Sequence, residues 1–359
     1  MSDRAMRAIR PEIRAMQVYH VATPKHRVKL NQNEFPIDVP ESVKSQVASS
    51  LVKRDWARYP QIDSQDLRDG IRREFSLPES ADLLVGNGSN DLIRGLFSAT
   101  IGTGSRLVLP VPTFALYKKL VTIAGGEAVE VSLNEDFTYD VDRILQAARD
   151  EDAKLIVLVR PNNPTGNALP LSDIRRIAAE APGLLVVDEA YAEFARDSAL
   201  PLLTELENLV VLRTFSKAWH AAGLRIGYLA GTRSIVREIA KTILPFNTSV
   251  FVEDATLTLM KNRELLQPAV THLCDERDRM IAAMHRIDGV TPFPSEANFI
   301  CFRTPHASDS LYDALLQHGF LVRNIGAPGL LSRCLRVSVG TDEQNRGFLA
   351  ALEEVMKTT

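Results

Sequence analysis

The residue best suited to covalent chemistry in this sequence is Lys217. It follows an apolar strand candidate, Leu209–Leu212, in a protein where chemistry is expected beyond the carboxyl ends of strands. A lysine amine is a nucleophile only when it is unprotonated, so its pKa of about 10.4 must be lowered by burial or by nearby cations. Arg225, eight positions later, is a candidate for such a cation. The alternative is an ordinary surface lysine after a strand.

Two hydroxyl groups lie beside this lysine. Thr214 and Ser216 have the two-residue spacing that places side chains on one side of an extended segment. Together with Arg225 they predict a phosphate clamp next to the amine. An ordinary Ser/Thr turn is the alternative.

Other polar groups also follow apolar segments. Asp188 ends the segment that begins at Leu184, and an acid there is costly unless it has a partner such as a protonated ring nitrogen. Tyr191, three residues on, could reach the same ring. Asn163 lies in a turn framed by two prolines, where an immobilised amide is a good donor to a phenolic oxygen.

Two further turns could contact a ligand. Ser89 and Asn90 follow the pair Gly86 and Gly88 at a predicted strand-to-helix turn, where exposed backbone N–H groups form an anion site. The turn is neither a dinucleotide fingerprint nor a Walker loop, which disfavours a nicotinamide dehydrogenase. Phe114 could cover the flat face of an aromatic ligand, although most such phenylalanines belong to the core.

These groups require an α/β architecture to bring them together. Apolar segments alternate with helical stretches, which predicts a mostly parallel central sheet flanked by helices, with the site along one edge. The helical spacing of 41–51 and a continuous helix from about 250 through Met284 are also expected. We predict three parts: an arm over residues 1–40, a large α/β domain over 41–250 and a small α+β domain over 251–359.

The composition excludes several classes of protein. The chain has 359 residues and a formal net charge of -3, with its positive charges dispersed, so neither nucleic acid nor a membrane is an expected partner. No apolar run approaches the roughly 20 residues of a spanning helix. Three scattered cysteines without a C-x-x-C pair predict a cytoplasmic protein with no disulfide framework, and no metal is expected.

Four motifs resemble those of fold type I aminotransferases, which depend on pyridoxal 5'-phosphate. The motifs are residues 161–166 (PNNPTG), 187–191 (VDEAY), 214–217 (TFSK) with Arg225, and 335–341 (LRVSVGT). Four more resemble the histidinol-phosphate aminotransferase family in particular: residues 30–36 (LNQNEFP), 58–60 (RYP), 86–89 (GNGS) and 296–299 (EANF). The resemblance spans nearly the whole chain.

The resemblance implies a role for each candidate residue. Lys217 would attach covalently to the cofactor, and Asp188 would pair with its ring nitrogen. Asn163 and Tyr191 would bond its phenolic oxygen. Its phosphate would contact Thr214, Ser216, Arg225 and the backbone at Ser89 and Asn90, while Phe114 lies against the ring. Tyr59 would reach the cofactor of the other subunit of a homodimer. The proposed substrate residues are Arg336 for the carboxylate of the amino donor, and Tyr19, Asn33 and Arg323 near the distal end.

The resemblance also implies a reaction between a small amino donor and a 2-oxo acid, most simply histidinol phosphate and 2-oxoglutarate. An aromatic amino acid aminotransferase and a threonine-phosphate decarboxylase remain alternatives, and a cofactor-binding regulator without catalysis is a remote one. Asn90, Phe114 and Val18 depart from the family pattern. Trp219 and His220 are also unusual, and both are expected toward the mouth of the pocket.

Overall fold

The computed structural model describes residues 3–18 and 24–358, so Tyr19 lies outside the described residues. The chain begins with an arm of short elements, which are α1 (Asp3–Met6), α2 (Pro11–Ala15) and β1 (Val28–Lys29). Arg10 donates a hydrogen bond to the carbonyl of Ile123, so the arm packs onto the body of the protein.

A seven-stranded sheet forms the centre of the molecule. Its spatial order is β2-β8-β7-β6-β5-β3-β4, and β8 runs in the direction opposite to the other six strands. The mostly parallel sheet predicted from the sequence is thereby confirmed. The strands are β2 (Ala81–Gly86), β3 (Arg106–Val111), β4 (Glu127–Ser132), β5 (Leu155–Val159), β6 (Leu184–Asp188), β7 (Leu209–Thr214) and β8 (Gly227–Thr232).

Strand composition follows position in the sheet. β5 and β7 are buried at every residue because helices cover both faces of a parallel sheet, which explains their continuous apolar runs. The edge strand β4 has the pattern Glu-Ala-Val-Glu-Val-Ser with only one fully buried residue. Because of its polar residues, apolar periodicity did not predict this strand.

Helices cover the sheet on both faces. They are α3 (Glu41–Leu51), α4 (Gln65–Glu74), α5 (Ser89–Thr100), α6 (Leu116–Ala124), α7 (Val141–Asp150), α8 (Leu171–Glu180), α9 (Arg233–Ala240) and α10 (Val250–Lys261). Their apolar faces complete two hydrophobic clusters, one on each face of the sheet.

The carboxyl-terminal third builds a second, smaller sheet and its own cluster. The elements are α11 (Arg263–Met284), β9 (Thr291–Pro292), β10 (Phe299–Arg303), α12 (Ser308–Gln317), β11 (Phe320–Leu321), β12 (Arg323–Asn324), β13 (Cys334–Ser338) and α13 (Asp342–Thr358). β12, β13, β10 and β9 form the small sheet, whereas β11 pairs with β1 of the arm. The three-part domain division remains a prediction. α10, which begins at the predicted boundary between the large and small domains, packs against α3 and α4 of the large part.

The expectation of one continuous helix through Met284 is wrong. The chain breaks at Asn262, which ends α10 and precedes α11. The Asn262 side chain donates to the carbonyl of Thr258, and such a side-chain bond competes with continuation of the helix. None of the helices in the described part of the chain combines the length and hydropathy needed to span a lipid bilayer.

Candidate active site

The site lies where two adjacent parallel strands end. β6 and β7 are paired so that Asp188 is opposite Leu212, and Thr214 is the last residue of β7. Lys217 follows three residues later. The chemical groups predicted from the sequence therefore meet at the carboxyl edge of the sheet, as expected for an α/β protein.

The environment of Lys217 favours an unprotonated amine. Its Nζ lies 5.7 Å from the centroid of the Tyr191 ring and donates to the carbonyl of Gln32 at 3.0 Å. Burial lowers the pKa of Lys217 to about 7, and the nearby charges of Arg336 and Arg225 act in the same direction. A substantial fraction of this amine is therefore nucleophilic at neutral pH.

Asp188 is buried and held by two hydrogen bonds. Tyr117 Oη donates to its Oδ2 at 2.6 Å, and the Ala190 N–H donates to its Oδ1 at 3.1 Å. Burial raises the pKa of Asp188 to about 6, while these two donors oppose the rise. The carboxylate is therefore charged above pH 6, as pairing with a protonated ring nitrogen requires. Sequence reasoning missed Tyr117, which is three residues after Phe114.

Tyr117→Phe is expected to move the acid limb of the pH dependence of kcat toward neutrality. Loss of the phenol donor raises the pKa of Asp188, so the carboxylate becomes protonated at higher pH. A hydrogen bond to a charged group corresponds to a shift on the order of one pH unit. Tyr139→Phe is the matched control, because that hydroxyl donates to the Val159 carbonyl instead. An unmoved acid limb in Tyr117→Phe would contradict this role.

The three side chains of the predicted phosphate clamp lie together. Thr214 Oγ1 donates to Ser216 Oγ at 3.0 Å, and Arg225 Nη1 donates to the same Ser216 oxygen at 3.1 Å. The start of α5 faces them, because a Cβ on Gly88 would lie 2.6 Å from Arg225 Nη2. A Cβ on Gly227 would lie 2.7 Å from the Ser89 nitrogen.

The two glycines therefore keep a cradle open between a guanidinium and a helix amino terminus. Gly88 also has φ +77°, a backbone conformation that favours glycine. Backbone N–H groups, hydroxyls and an arginine are the donor set that binds phosphate. Asn90 is exposed and Ser89 is half-buried at this start of α5. These residues fit a phosphate-bearing cofactor such as pyridoxal 5'-phosphate.

Tyr191 lies in a network that joins the arm to the large sheet. Asn33 Nδ2 donates to Tyr191 Oη at 2.9 Å, and the Asn33 backbone is fixed by hydrogen bonds with Ser338 and Asn298. Asn33 is buried and has φ 54°. The expected position of Asn33 near the site is thus found, with a contact to Tyr191 that sequence reasoning did not foresee.

Arg336 points into the same site from β13. Its guanidinium donates to Asn163 Oδ1 and, at 2.8 Å, to the carbonyl of Asn31, and it lies over the Phe299 ring. The solvent-facing alternative considered from the sequence is excluded, since Arg336 is buried. Arg323 is directly opposite Arg336 in the antiparallel pair of β12 and β13, so the two arginines share a face of the small sheet.

Phe114 and Tyr59 occupy different environments. Phe114 is half-buried and meets the Tyr117 ring edge-on, with centroids 6.2 Å apart. Tyr59 is 81% exposed and stacks on Phe246, with centroids 4.6 Å apart. Their proposed contacts with a cofactor remain predictions.

The expectation that Trp219 and His220 both face the pocket mouth is only half right. His220 stacks on Phe35 and lines a cavity of about 420 Å³ together with Ser216 and Gln32. Trp219 instead points to the opposite side, where it is 5% exposed and packs against Phe215. The chain turns between the two residues, and His220 itself has φ 56°.

The fold and the residues of the site together identify the class of enzyme. The fold and the cluster of Lys217, Asp188 and the phosphate cradle define a pyridoxal phosphate-dependent enzyme of fold type I. A family model for aminotransferases of class I and II matches residues 25–352, and the chain belongs to that family. The predicted enzyme class and cofactor are thereby confirmed.

Individual relatives agree with this assignment. A histidinol-phosphate aminotransferase of Chlorobium phaeovibrioides is 39% identical over 349 residues, covering 97% of this chain and 96% of the relative. A relative from Nitrosococcus oceani named histidinol-phosphate aminotransferase 2 is 35% identical, and the match covers 98% of each chain. The crystal structure of histidinol-phosphate aminotransferase from Sinorhizobium meliloti in complex with pyridoxal-5'-phosphate matches with a TM-score of 0.87 and 25% identity, over 98% of each chain.

Proposed function

We propose that this enzyme transfers the amino group of histidinol phosphate to 2-oxoglutarate, giving imidazole acetol phosphate and glutamate, a step of histidine biosynthesis. The observation that carries the proposal is the end-to-end similarity, at 35–39% identity, to relatives named histidinol-phosphate aminotransferase. The site supports it because it combines an amine of lowered pKa, a phosphate cradle and two arginines on one face of the small sheet.

The residues divide between holding the cofactor and handling the substrate. Thr214, Ser216 and Arg225, with the N–H groups at the start of α5, would hold the cofactor phosphate, while Asp188 would accept a bond from the ring nitrogen. Tyr191 and Asn163 would contact its phenolic oxygen. When bound, pyridoxal phosphate supplies a carbonyl carbon that takes up the amino group and a ring that delocalises the electrons of the broken C–H bond.

Lys217 is the group that moves the proton. Its unprotonated Nζ, near neutral pH, can accept the proton from the substrate carbon. The Gln32 carbonyl, 3.0 Å from Nζ, orients the amine. Tyr191 and Asp188 are buried, and they limit access of water to the transferred proton.

Arg336 and Arg323 would recognise the anionic groups of the two substrates. The guanidinium of Arg336 is held by neutral carbonyl oxygens of Asn163 and Asn31, both weaker acceptors than a carboxylate. Histidinol phosphate carries no carboxylate, so a carboxylate of 2-oxoglutarate would take the place of the Asn163 contact and free that amide oxygen. Arg323, on the same face, would bind the distal phosphate together with Asn33.

A substrate panel tests the proposal. Purified holoenzyme with histidinol phosphate and 2-oxoglutarate is expected to form glutamate in proportion to the amino donor consumed. Phenylalanine, tyrosine and O-phosphothreonine are the matched alternatives. Activity confined to the aromatic amino acids, or release of carbon dioxide from O-phosphothreonine, would overturn the substrate assignment.

We also propose that the active unit is a homodimer. Two pairs of exposed aromatic rings come from the same two segments: Tyr59 stacks on Phe246, and Trp56, 65% exposed, lies 5.0 Å from Phe251, 39% exposed. An exposed apolar patch of this kind is typical of an interaction surface. A second copy covering it would bring Tyr59 to the neighbouring cofactor.

Tyr59→Phe is expected to weaken cofactor binding by about tenfold, the effect of losing one hydrogen bond to a charged phosphate. The ring, and hence its stack on Phe246, is retained. The measurement is titration of the apoprotein with pyridoxal phosphate, with sedimentation velocity to verify that the dimer persists. Unchanged affinity in an intact dimer would show that this hydroxyl does not reach a cofactor.

We further propose that the enzyme works in the cytoplasm. Cys274, Cys301 and Cys334 are all free thiols in the structure. Free, largely buried cysteines suit a reducing compartment.

A further inference from the structure

One segment of the amino-terminal arm crosses the candidate active site. Residues 31–35, which we call the strap, begin two positions after β1 ends. The first three strap residues each make a hydrogen bond with a different residue of the site: Arg336 donates to the Asn31 carbonyl, Lys217 donates to the Gln32 carbonyl, and the Asn33 amide donates to Tyr191. The position of this one segment therefore determines the surroundings of three site residues.

Phe35, the last residue of the strap, lies against His220. The two ring centroids are 3.5 Å apart and the ring planes are inclined by 19°, so the rings are stacked face to face. The ring of Phe194 is also nearly parallel to that of Phe35, but it lies farther away, at 6.5 Å. His220 is three residues after Lys217 in the chain. The stack therefore joins the strap directly to the segment that carries the reactive amine.

The ring of His220 is uncharged at neutral pH. Burial lowers the pKa of His220 to about 4, while the nearby backbone of Ile37 and Asp38 and the Asp38 carboxylate oppose this shift. A neutral imidazole can lie against a phenyl ring without the cost of a buried charge. His220 therefore acts here as a flat ring and not as an acid or a base.

The strap shields one side of the Lys217 amine. Lys217 is half-buried, and the Gln32 carbonyl lies 3.0 Å from its Nζ, where a water molecule would otherwise bind. Removal from water is the largest cause of the lowered pKa of Lys217, which is about 7. A cavity of about 420 Å³ is lined by Gln32, Phe35 and His220, so there is room for water beside the strap. Displacement of the strap would let that water reach the amine.

Lys217 is also surrounded by charged side chains. Three cations lower its pKa and one carboxylate raises it, and these groups are Arg336, Arg225, Lys29 and Glu34. Lys29 and Glu34 pair with each other at 2.6 Å, so their opposite effects on the amine partly cancel. Burial raises the pKa of Tyr191, so its hydroxyl adds no charge near the amine. Arg336 and Arg225 do not belong to the strap, so displacement of the strap would change mainly the exposure of the amine to water.

We propose that His220 and Phe35 are positioning residues for the reaction: their stacked rings hold the strap against Lys217 and so keep water from its amine. Neither ring needs to touch the substrate or the cofactor, because the effect passes through the strap. The inference rests on the role proposed above for Lys217, and it does not depend on which amino donor the enzyme uses.

The pH dependence of cofactor attachment tests this inference. Apoprotein of the full chain is mixed with pyridoxal phosphate, and the rate of attachment is followed by absorbance between about pH 5.5 and about pH 10. The midpoint of the wild-type rate is expected near pH 7, the pKa of Lys217. Free pyridoxal phosphate titrates identically in every experiment, so a difference between two midpoints reports a difference between the proteins.

Loss of either ring should raise this midpoint by about one pH unit or more. His220→Asn removes one ring, and asparagine tolerates the positive φ of this position. Phe35→Leu removes the other ring and keeps an apolar side chain. Water that reaches the amine favours its charged form, and full burial can shift the pKa of a lysine by roughly 3 to 5 units, so a shift of this size corresponds to partial exposure. Loss of the Gln32 carbonyl alone would lower the midpoint, because that acceptor favours the charged amine.

Three further variants separate positioning from general stability. Phe35→Tyr keeps the ring and should keep the wild-type midpoint. The double variant of His220→Asn and Phe35→Leu should shift the midpoint no further than either single change, because both remove the same stack. Phe348→Leu removes a buried ring that meets Phe302 edge-on in the carboxyl-terminal third, and it should lower the melting temperature without moving the midpoint.

The outcomes distinguish this inference from the role of Lys217. A wild-type midpoint near pH 7 with unmoved midpoints in both ring-loss variants would overturn the inference alone. Shifts that add in the double variant, an equal shift in Phe348→Leu, or a shift in Phe35→Tyr as large as that in Phe35→Leu would also overturn it. A wild-type rate that still rises toward pH 10 would overturn the lowered pKa of Lys217, and this inference with it.

Discussion

Lys217→Arg is expected to lower kcat by about 10⁴-fold or more, because a guanidinium keeps its proton in proteins and can act neither as the attacking amine nor as the proton acceptor. The positive charge and approximate length are conserved, so a loss of this size would reflect the missing free base. The measurement is single-turnover conversion of the amino donor. Lys154→Arg, at an exposed position after α7, is the control and should retain full activity.

The pH dependence of the rate of cofactor attachment is a second test of the role of Lys217. The pKa of Lys217 is lowered to about 7 by burial, so the free base predominates above pH 7. Covalent attachment of pyridoxal phosphate to the apoprotein is therefore expected to accelerate as the pH rises through 7 and then to level off. A rate that keeps rising toward pH 10 would show that the pKa of the amine is not lowered in solution.

Asp188→Asn is expected to lower kcat by about 10²- to 10³-fold, the range found when one preorganised electrostatic contact is removed from a reacting group. Asparagine keeps the shape but carries no charge, so it cannot hold a proton on the ring nitrogen. The phosphate cradle is untouched, and the cofactor should still attach to Lys217. Steady-state kinetics and cofactor absorbance together measure the two effects.

Asp152→Asn is the matched control for this substitution, since that carboxylate is 80% exposed and pairs with Lys154 in a surface loop. It should leave kcat unchanged. Full activity of Asp188→Asn with bound cofactor would contradict the assignment of Asp188 as the partner of the ring nitrogen.

The positions of residues that follow strands could be predicted from the sequence, because they depend on the local pattern of apolar residues. A continuous apolar run predicts a buried parallel strand, and its carboxyl end predicts a site. Asp188, Thr214 and Lys217 each follow such a run, so their convergence could be inferred from the sequence alone. The φ +77° of Gly88 likewise agrees with the glycine-containing turn expected before α5.

Contacts between residues far apart in the sequence could not be predicted. Tyr117 bonds Asp188 from 71 positions away, and Asn33 bonds Tyr191 from 158 positions away. Nothing in the local pattern of α6 marks its tyrosine as different from a core residue. These pairs depend on how the helices and the arm pack, which periodicity alone does not determine.

The direction in which side chains point after a turn could not be predicted either. Trp219 and His220 are adjacent, yet one packs into the core and the other lines the cavity beside Ser216. A residue with positive φ redirects the chain, and His220 has φ 56° without being glycine.

The central claim is that the amine of Lys217 attaches covalently to the cofactor. Reduction of the holoenzyme with borohydride, followed by proteolysis and mass spectrometry, tests it most directly. We predict a single phosphopyridoxyl label, on the peptide that contains Lys217. A label on any other lysine, or a reduced holoenzyme without a label, would contradict the account.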